Sequence, residues 1–247
     1  MIRLFRERPA GAAAFDTAVS RALLERVRNG SSGDSFRLYR PGRVVSFGGQ
    51  DAHKPGFREA VDAAREEGFE AVMRLAGGSA AVFHEGTVAF AYATADEDPT
   101  ARTHARFEEM ADIMRTALSR LGIDAHIGEV PGEYCPGRYS VNARGQKKIV
   151  GIGQRIVAGG AHVGGVVVAD GADLVRNALI PVYDRLGLDW DPATAGSAAE
   201  ETGATWDDVE QAIATELASR HDLAEARIDD DILSLASTLA GDYEPKG

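Results

Sequence analysis

Residues 74–86 read RLAGGSAAVFHEG, a run of small residues between two segments of strand-like alternation. The sequence predicts a strand over Phe69–Arg74, then a turn, then a hairpin of Ala81–His84 with Thr87–Thr94. Glycines allow close approach of the backbone to a ligand, and N–H groups exposed in such a turn can hold an acyl carbonyl or a phosphate. A plain tight turn between strands needs the same glycines, so both interpretations stay open at this point.

Helical and strand-like segments alternate on both sides of this run. Helices are predicted over Ala12–Arg28, Gly56–Glu67 and Thr103–Leu121, and the turn at Arg144-Gly145 predicts a second hairpin. The apolar run Val163–Val168 is typical of a buried strand. Because hairpin signals outnumber strand–helix–strand units, the sequence predicts an α+β fold with a mixed, mainly antiparallel sheet packed with helices.

The acidic balance of the chain excludes some classes of partner. Lysine and arginine number 27 against 38 acidic residues, which gives a formal net charge of −11. Such a surface repels phosphate backbones, so we expect no nucleic-acid partner. No run approaches the roughly 20 apolar residues of a membrane helix, and no apolar run follows Met1–Pro9 as in a signal peptide. Together with a single cysteine, which cannot form an internal disulfide, this predicts a cytoplasmic protein, expected as a monomer without membrane contact.

The one cysteine lies in a second cluster, EVPGEYCPGRY, at residues 129–139. Cys135 is bracketed by proline and glycine in a segment of loop composition, and loops present reactive groups to ligands. A cation nearby favours the thiolate, which is the nucleophilic form of a cysteine. An inert, half-buried cysteine would have the same local sequence, so the loop alone does not decide between the two.

A third cluster, KIVGIGQR, occupies residues 148–155. Lys148 begins an apolar strand that Gly151 and Gly153 interrupt. A lysine projecting from such a strand can place its ammonium in a pocket, beside a carbonyl oxygen or a phosphate. The alternative is a solvated lysine at the end of a hairpin. The lone cysteine and scattered histidines lack metal-ligand spacing, so no metal site is expected.

The order and spacing of the three clusters resemble one known family. Residues 74–86 resemble the R-x-x-G-G-G-A-V-F-H-x-x-G stretch of lipoate–protein ligases, and residues 148–155 resemble their K-[IV]-x-G-x-[AG]-Q-R stretch. The loop that contains Cys135 resembles the cysteine loop of the octanoyl amidotransferase branch. The resemblance extends from about Phe15 to Ser197.

This resemblance implies a domain organisation and a set of partners. It implies a biotin/lipoate ligase-like catalytic domain over residues 1–197, followed over residues 198–247 by an acidic, helical extension packed on it. The implied partners are lipoyl-carrier proteins, namely the H protein of glycine cleavage and the acyltransferase subunits of 2-oxoacid dehydrogenases, or else acyl carrier protein. A basic face for an acidic acceptor is expected from residues near the second and third clusters: Arg138, Arg144, Lys147 and Arg155.

The resemblance also implies roles for individual residues. In this branch an octanoyl or lipoyl group passes through a cysteine thioester to a lysine of the carrier, and no cofactor is required. Cys135 would attack the acyl carbonyl, while Lys148 would favour the thiolate and the developing oxyanion. Val82 and Val150 are expected as apolar walls for the acyl chain. The substrate-binding residues are expected in the two glycine-rich clusters: Arg74, Gly77, Gly78, Ser79, Ala80, His84, Gly151 and Gly153.

Two other functions stay open. An ATP-dependent lipoate–protein ligase would use ATP and Mg²⁺, would place Lys148 against the acyl-adenylate phosphate, and would leave Cys135 without a role. Two residues depart from the family pattern. Ser79 replaces a frequent third glycine and is expected to tighten or reshape the acyl tunnel. Val163 replaces a histidine found in many ligases and acyl-carrier-dependent transferases, which disfavours the ligase. A non-enzymatic binder of lipoyl or biotinyl groups would need neither the loop cysteine nor the strand lysine.

Overall fold

The structure, a computed structural model, describes residues 1–246. The strands are β1 (Ile2–Phe5), β2 (Ser35–Tyr39), β3 (Val44–Phe47), β4 (Glu70–Met73), β5 (Ala81–Phe83), β6 (Thr87–Ala95), β7 (Ala125–Ile127), β8 (Val141–Ala143), β9 (Lys147–Val157), β10 (Gly160–Val168) and β11 (Leu223–Ala226). The helices are α1 (Ala13–Arg28), α2 (Phe57–Glu66), α3 (Thr103–Arg120), α4 (Ala172–Leu186), α5 (Ala198–Thr202), α6 (Trp206–Arg220) and α7 (Asp230–Leu239). Short 3₁₀ turns lie at Asp51–His53, Pro192–Thr194 and Ala240–Tyr243.

The strands form two sheets. The larger has the order β11-β1-β2-β6-β10-β9-β8-β7, and the smaller has the order β4-β3-β5. In the larger sheet β11, β1 and β2 run parallel, and every pairing from β2 onwards is antiparallel. In the smaller sheet β3 is parallel to β4 and antiparallel to β5. The predicted α+β fold with a mixed, mainly antiparallel sheet is confirmed.

One predicted hairpin is present and another is wrong. Strands β8 and β9 pair antiparallel across Arg144-Gly145, as the turn sequence indicates. Strands β5 and β6 do not form a hairpin, because β5 pairs with β3 in the smaller sheet while β6 lies between β2 and β10 in the larger. The turn at Glu85-Gly86 therefore passes the chain from one sheet to the other. Alternation predicts that a strand exists, but it does not say which neighbour the strand will pair with.

Helices cover the sheets on several sides and bury separate parts of the core. Helices α3 and α6 pack on the larger sheet, and the buried cluster between them includes Met114, Leu118, Phe90 and Val163. Helices α2 and α4 pack with the smaller sheet, and α1 and α7 pack together over a third cluster. The segment after β4 meets β9 where Gly77 N–H donates to the carbonyl oxygen of Gln154 at 3.3 Å. The two sheets are therefore joined at this point, and the candidate site lies beside it.

The C-terminal region contributes a strand as well as helices. Helix α6 adds Val209, Ile213 and Leu217 to the main core, and β11 pairs with β1 in the register Ile2↔Leu223. The sequence indicated only helices here, because β11 reads Leu-Ala-Glu-Ala and has little strand propensity of its own. Gly247, the last residue of the predicted extension, lies outside the described residues. Within residues 1–246, no helix is long and apolar enough to cross a membrane.

A buried ion pair fastens α1 to the larger sheet. Arg37 of β2 is fully buried, and its Nη2 donates to Asp16 Oδ1 at 2.7 Å. Its Nη1 donates to Ser20 Oγ at 2.9 Å, and the guanidinium lies 3.9 Å from the centre of the Tyr39 ring. A buried cation is tolerated when it is paired and hydrogen-bonded, as it is here. The pair fixes the position of α1 relative to β2.

We predict that Asp16→Ala lowers the free energy of unfolding by about 3–5 kcal/mol, because it leaves the buried guanidinium of Arg37 without its carboxylate. The matched control is Asp62→Ala, which removes an exposed pair with Arg65 at 3.2 Å and should change stability by less than about 1 kcal/mol. Urea unfolding followed by circular dichroism measures both variants. Equal losses would show that the Arg37 pair does not hold α1.

Candidate active site

The segment between β7 and β8 presents Cys135 in a backbone conformation that residues with side chains rarely adopt. Its φ is +41°, in the left-handed region. The N–H of Cys135 donates to the Tyr183 hydroxyl oxygen at 2.8 Å, and that hydroxyl donates to the carbonyl oxygen of Ala80 at 3.0 Å. Helix α4 thus connects the Cys135 loop to Ala80, at the end of the turn over residues 77–80, which we call the glycine turn. Strained conformations of this kind persist only where surrounding contacts hold them.

The sulfur of Cys135 faces the glycine turn of the first cluster. The N–H of Ser79 donates to Sγ at 3.2 Å, and Arg74 Nη1 lies 3.5 Å from the same sulfur. Arg74 Nη1 also donates to the carbonyl oxygen of Ser79 at 2.8 Å, which fixes the guanidinium against the turn. A cation and a backbone donor both stabilise negative charge on a sulfur. The arrangement suits a cysteine that acts as a nucleophile.

Two glycines make this approach possible. Gly78 has φ +111°, and a Cβ added there would lie 2.8 Å from both Cys135 Sγ and Arg74 Nη1. In β9, a Cβ on Gly153 would lie 3.0 Å from the carbonyl oxygen of Gly77. Gly78 therefore allows the thiol to reach the turn, and Gly153 allows the turn to pack on the sheet.

Lys148 lies in the site but does not contact the sulfur. Its side chain is 1% exposed, and Nζ donates to Glu133 Oε1 at 2.8 Å, the Tyr134 carbonyl oxygen at 2.9 Å and the Cys135 carbonyl oxygen at 2.8 Å. The sequence interpretation placed this ammonium beside the thiolate and the acyl carbonyl. In the structure, the cation beside the sulfur is Arg74 instead, and Lys148 holds the backbone of the cysteine loop.

Sequence reasoning missed two residues that complete this arrangement. Glu133 is buried and pairs with Lys148, and Tyr183 of α4 bridges the cysteine loop and the glycine turn. An acidic residue beside Gly132 resembles ordinary loop composition, so its burial gave no sequence signal. Tyr183 lies 48 residues beyond Cys135, inside a helix whose apolar pattern accounts for it without any further role.

A cavity of about 470 Å³ opens beside the thiol. Its apolar wall comes from Phe83, Phe107, Ile152 and Val166. The expected walls Val82 and Val150 do not line the cavity and are fully buried in the core. Seven residues predicted from the sequence line the cavity: Arg74, Gly77, Gly78, Cys135, Lys148, Gly151 and Gly153.

The other predicted binding residues act behind the cavity surface. Ser79 contributes its N–H to the sulfur, and Ala80 accepts the Tyr183 hydroxyl through its carbonyl oxygen. The predicted binding residue His84 does not line this cavity or the narrower one beside it. Its side chain is fully buried, and its Nδ1 accepts the N–H of Gly86 at 3.0 Å, inside the turn that links the two sheets. Burial lowers the pKa of His84, which suits a neutral acceptor in a turn.

A second, narrower cavity of about 80 Å³ continues from the same region. It shares Arg74, Phe83 and Gly165 with the larger cavity and runs along α1 to His162. Burial, reinforced by the nearby cation of Arg155, lowers the pKa of His162 to about 3. Among the described residues, its Nδ1 has no hydrogen-bond partner. His162 is therefore a neutral imidazole at the wall of this cavity.

The predicted basic face is only partly available. Arg138 and Arg155 are exposed, and Arg138 lines the larger cavity. Arg144 pairs with Glu201 at 2.9 Å, and Lys147 Nζ donates to the carbonyl oxygen of Ala193. Positive charge exposed near the mouth of the cavity therefore comes mainly from Arg138.

Comparison with known proteins supports the resemblance. Residues 12–185 match the family of the lipoyl protein ligase A/B catalytic domain. A Geobacillus kaustophilus protein named octanoyl-[GcvH]:protein N-octanoyltransferase is 30% identical over 224 residues, which cover 90% of this chain and 75% of that protein. A Listeria monocytogenes protein named lipoyl-[GcvH]:protein N-lipoyltransferase is 28% identical over 138 residues, which cover 56% of this chain and 49% of that protein.

Solved structures share the fold at lower sequence identity. Lipoate-protein ligase A bound with ATP superposes with a TM-score of 0.79 at 19% identity, over 97% of this chain and 94% of the other. The Thermoplasma acidophilum lipoate protein ligase Ta0514 with bound lipoic acid superposes with a TM-score of 0.77 at 20% identity, over 97% and 95%. At these identities the likeness establishes the fold.

We predict that Gly78→Ala slows alkylation of Cys135 by iodoacetamide several-fold, because the added methyl displaces Sγ from Ser79 and Arg74. Cys135 is the one cysteine in the chain, so intact mass reports its modification directly. The matched control is Gly68→Ala, which has a similar positive φ of +80° but nothing within 4 Å of the new Cβ. Gly68→Ala should lose stability and keep the wild-type alkylation rate. Identical rates in both variants would contradict the close approach of thiol and turn.

We also predict that His162 makes the protein less stable in acid. The unfolded chain gains a proton at this residue near pH 6.5, whereas the folded chain does so only near pH 3. Stability is therefore lost as pH falls from about 6.5 towards 3, at up to about 1.4 kcal/mol per pH unit. Between pH 6 and pH 4, the free energy of unfolding of His162→Gln should therefore fall less steeply than that of the wild-type protein. An unchanged slope in urea titrations would show that His162 is protonated in the folded protein.

Proposed function

The chain belongs to the family of the lipoyl protein ligase A/B catalytic domain, and we propose that it transfers an octanoyl or lipoyl group through a thioester on Cys135 to a lysine of a carrier protein. The observation that carries this proposal is the position of Cys135 Sγ, which accepts the N–H of Ser79 beside the guanidinium of Arg74. The sulfur lies at the wall of a cavity large enough for a small acyl group.

The proposed reaction has two steps. In the first, Sγ attacks the carbonyl carbon of an acylated lysine on the donor; the C–S bond forms, the C–N bond breaks, and the donor amine leaves with the thiol proton. In the second, the amine of the acceptor lysine attacks the thioester; the new C–N bond forms, the C–S bond breaks, and the amine proton returns to the sulfur. Arg74 and the N–H of Ser79 stabilise the sulfur anion that attacks in the first step and that the second step releases.

The acyl chain requires an apolar surface, and the cavity supplies one. Phe83, Ile152 and Val166 line it within reach of the Cys135 loop. Burial of the six methylenes of an octanoyl group contributes about 5 kcal/mol, at roughly 0.8 kcal/mol each. Hydrophobic burial of this size anchors the chain without charge recognition. An apolar wall suits both an octanoyl and a lipoyl chain, so the proposal includes both groups.

The proposed reaction requires neither ATP nor Mg²⁺. An acyl-adenylate mechanism would need Lys148 to donate to a phosphate. Its ammonium has three N–H groups, and they meet three acceptors: Glu133, the Tyr134 carbonyl and the Cys135 carbonyl. This supports the thioester reaction over the adenylate reaction, in which Cys135 would have no role.

The proposed partners are lipoyl-carrier proteins. The names of the Geobacillus and Listeria relatives specify an acyl group on GcvH, which is the H protein, and its transfer to protein. For this chain we propose the H protein as one carrier and the acyltransferase subunits of 2-oxoacid dehydrogenases as others, with acyl carrier protein as the alternative donor. Arg138 at the mouth of the cavity offers positive charge to an acidic carrier surface.

We predict that the purified protein gains one acyl group when it is mixed with octanoylated H protein in the absence of ATP. Intact mass spectrometry measures the gain, and hydroxylamine should remove it, because a thioester is cleaved where an amide is not. Cys135→Ala should gain nothing. Parallel reactions with lipoylated H protein and octanoyl-acyl carrier protein identify the preferred donor.

Two outcomes would contradict the proposal. If no carrier acylates the wild-type protein, the thioester reaction is wrong. If carrier lysines are modified only when ATP, Mg²⁺ and free lipoate or octanoate are supplied, and Cys135→Ala is as active as wild type, the protein is an ATP-dependent ligase.

A further inference from the structure

Glu133 occupies the centre of the irregular segment that carries Cys135. It is 3% exposed, and its carboxylate accepts four hydrogen bonds. Oε2 accepts the N–H of Val130 at 2.9 Å. Oε1 accepts the N–H of Gly137 at 3.2 Å, the hydroxyl of Ser140 at 2.6 Å and Nζ of Lys148 at 2.8 Å. One side chain therefore holds the segment both before and after Cys135.

The partner of this carboxylate holds the backbone at the cysteine itself. Lys148 Nζ donates to the carbonyl oxygens of Tyr134 and Cys135, and the N–H of Cys135 donates to Tyr183. Both the N–H and the carbonyl oxygen of Cys135 are thus hydrogen-bonded, the first to Tyr183 and the second to Lys148. With its backbone held at φ +41°, the side chain is directed to Ser79 and Arg74.

A buried ion pair is a weak source of stability, because desolvation of two charges offsets most of their attraction. The side chains of Glu133 and Lys148 are 0% and 1% exposed, so the desolvation is nearly complete. Within the described residues, every side-chain hydrogen bond of Glu133 and Lys148 goes to the Cys135 segment or to the other member of the pair. This distribution indicates that the pair sets the shape of one segment.

We propose that Glu133 is a positioning residue for the thiol, and that it acts through Lys148 and the backbone of the Cys135 segment. This inference rests on the proposed function, because it concerns the reactivity of the same sulfur. The ion pair fixes the Cys135 backbone, and the backbone in turn fixes Sγ against Arg74 and Ser79. Glu133 does not line the cavity, and its carboxylate makes no hydrogen bond to the sulfur.

The test compares Glu133→Gln with Glu216→Gln in two reactions. Glu216 is also a buried carboxylate, which accepts from Arg120 at 2.6 Å and Arg220 at 2.6 Å, and it lies on α6 away from the cavity. The first reaction is acylation of the enzyme by octanoylated H protein. Intact mass spectrometry monitors this reaction and gives kcat and KM. The second is alkylation of Cys135 by iodoacetamide, which involves no acyl carbonyl. Thermal unfolding midpoints are recorded for each variant.

We expect Glu133→Gln to lower the kcat of acylation by roughly 10- to 100-fold, in line with the cost of a misplaced reacting group, with little change in KM. Alkylation should slow several-fold. Glu216→Gln should lose thermal stability and keep both rates. If Glu133→Gln is folded and matches Glu216→Gln in both rates, Glu133 has a structural role only and the proposal is wrong.

Lys148 needs a separate comparison, because Glu133→Gln leaves its ammonium buried without a carboxylate and so destabilises the fold. Glu133→Gln combined with Lys148→Met removes both charges, which buried sites tolerate better than one unpaired charge. The double variant should be folded and show slow alkylation. Wild-type alkylation with slow acylation would instead place Lys148 at the acyl carbonyl and overturn the proposal. The alkylation rate can be measured even if the wild-type protein forms no acyl-enzyme. Failure of the proposed function is therefore distinguishable from failure of the positioning role of Glu133.

Discussion

The shape of the site depends on one buried contact, the ammonium of Lys148 shared among Glu133 and two backbone carbonyl oxygens. The segment between β7 and β8 has no sheet or helix to pair its backbone groups, and buried backbone groups without partners are costly. Lys148 and Glu133 supply those partners from a strand and from the segment itself. Because β9 lies between β8 and β10, Lys148 attaches the loop to an interior strand of the larger sheet.

A second constraint is the close packing of the glycine turn on this loop. Gly78 removes the side chain that would collide with the sulfur, and Gly153 removes the one that would hold the turn away from β9. Arg74 then reaches both the turn and the thiol from the end of β4. The cation beside the sulfur thus belongs to the smaller sheet, while the loop that carries the sulfur is held by the larger. The site exists where the two sheets meet.

Much of this arrangement could be predicted from the sequence, and the reasons for the failures are specific. The three clusters pointed to Arg74, the glycines, Cys135 and Lys148, because residue types and spacing are local information. The contacts of Lys148 were not predictable, since they depend on a buried glutamate whose sequence context is that of an ordinary loop. His84 was predicted in the substrate site because it belongs to the glycine-rich cluster. Its side chain instead accepts a hydrogen bond inside the turn between the two sheets. Strand β11 was missed because its pairing with β1 joins residues more than 200 positions apart.

A single-turnover chase shows whether the acyl group passes through Cys135 on its way to the carrier lysine. Acyl-enzyme is isolated free of donor and nucleotide, mixed with unmodified carrier protein, and quenched at intervals. Mass spectrometry of the peptide containing Cys135 and of the carrier lysine peptide follows the acyl group. We expect the acyl group to leave Cys135 and reach the lysine at least as fast as steady-state turnover. Transfer slower than turnover, or loss of the acyl group to water alone, would show that the thioester is not on the reaction path.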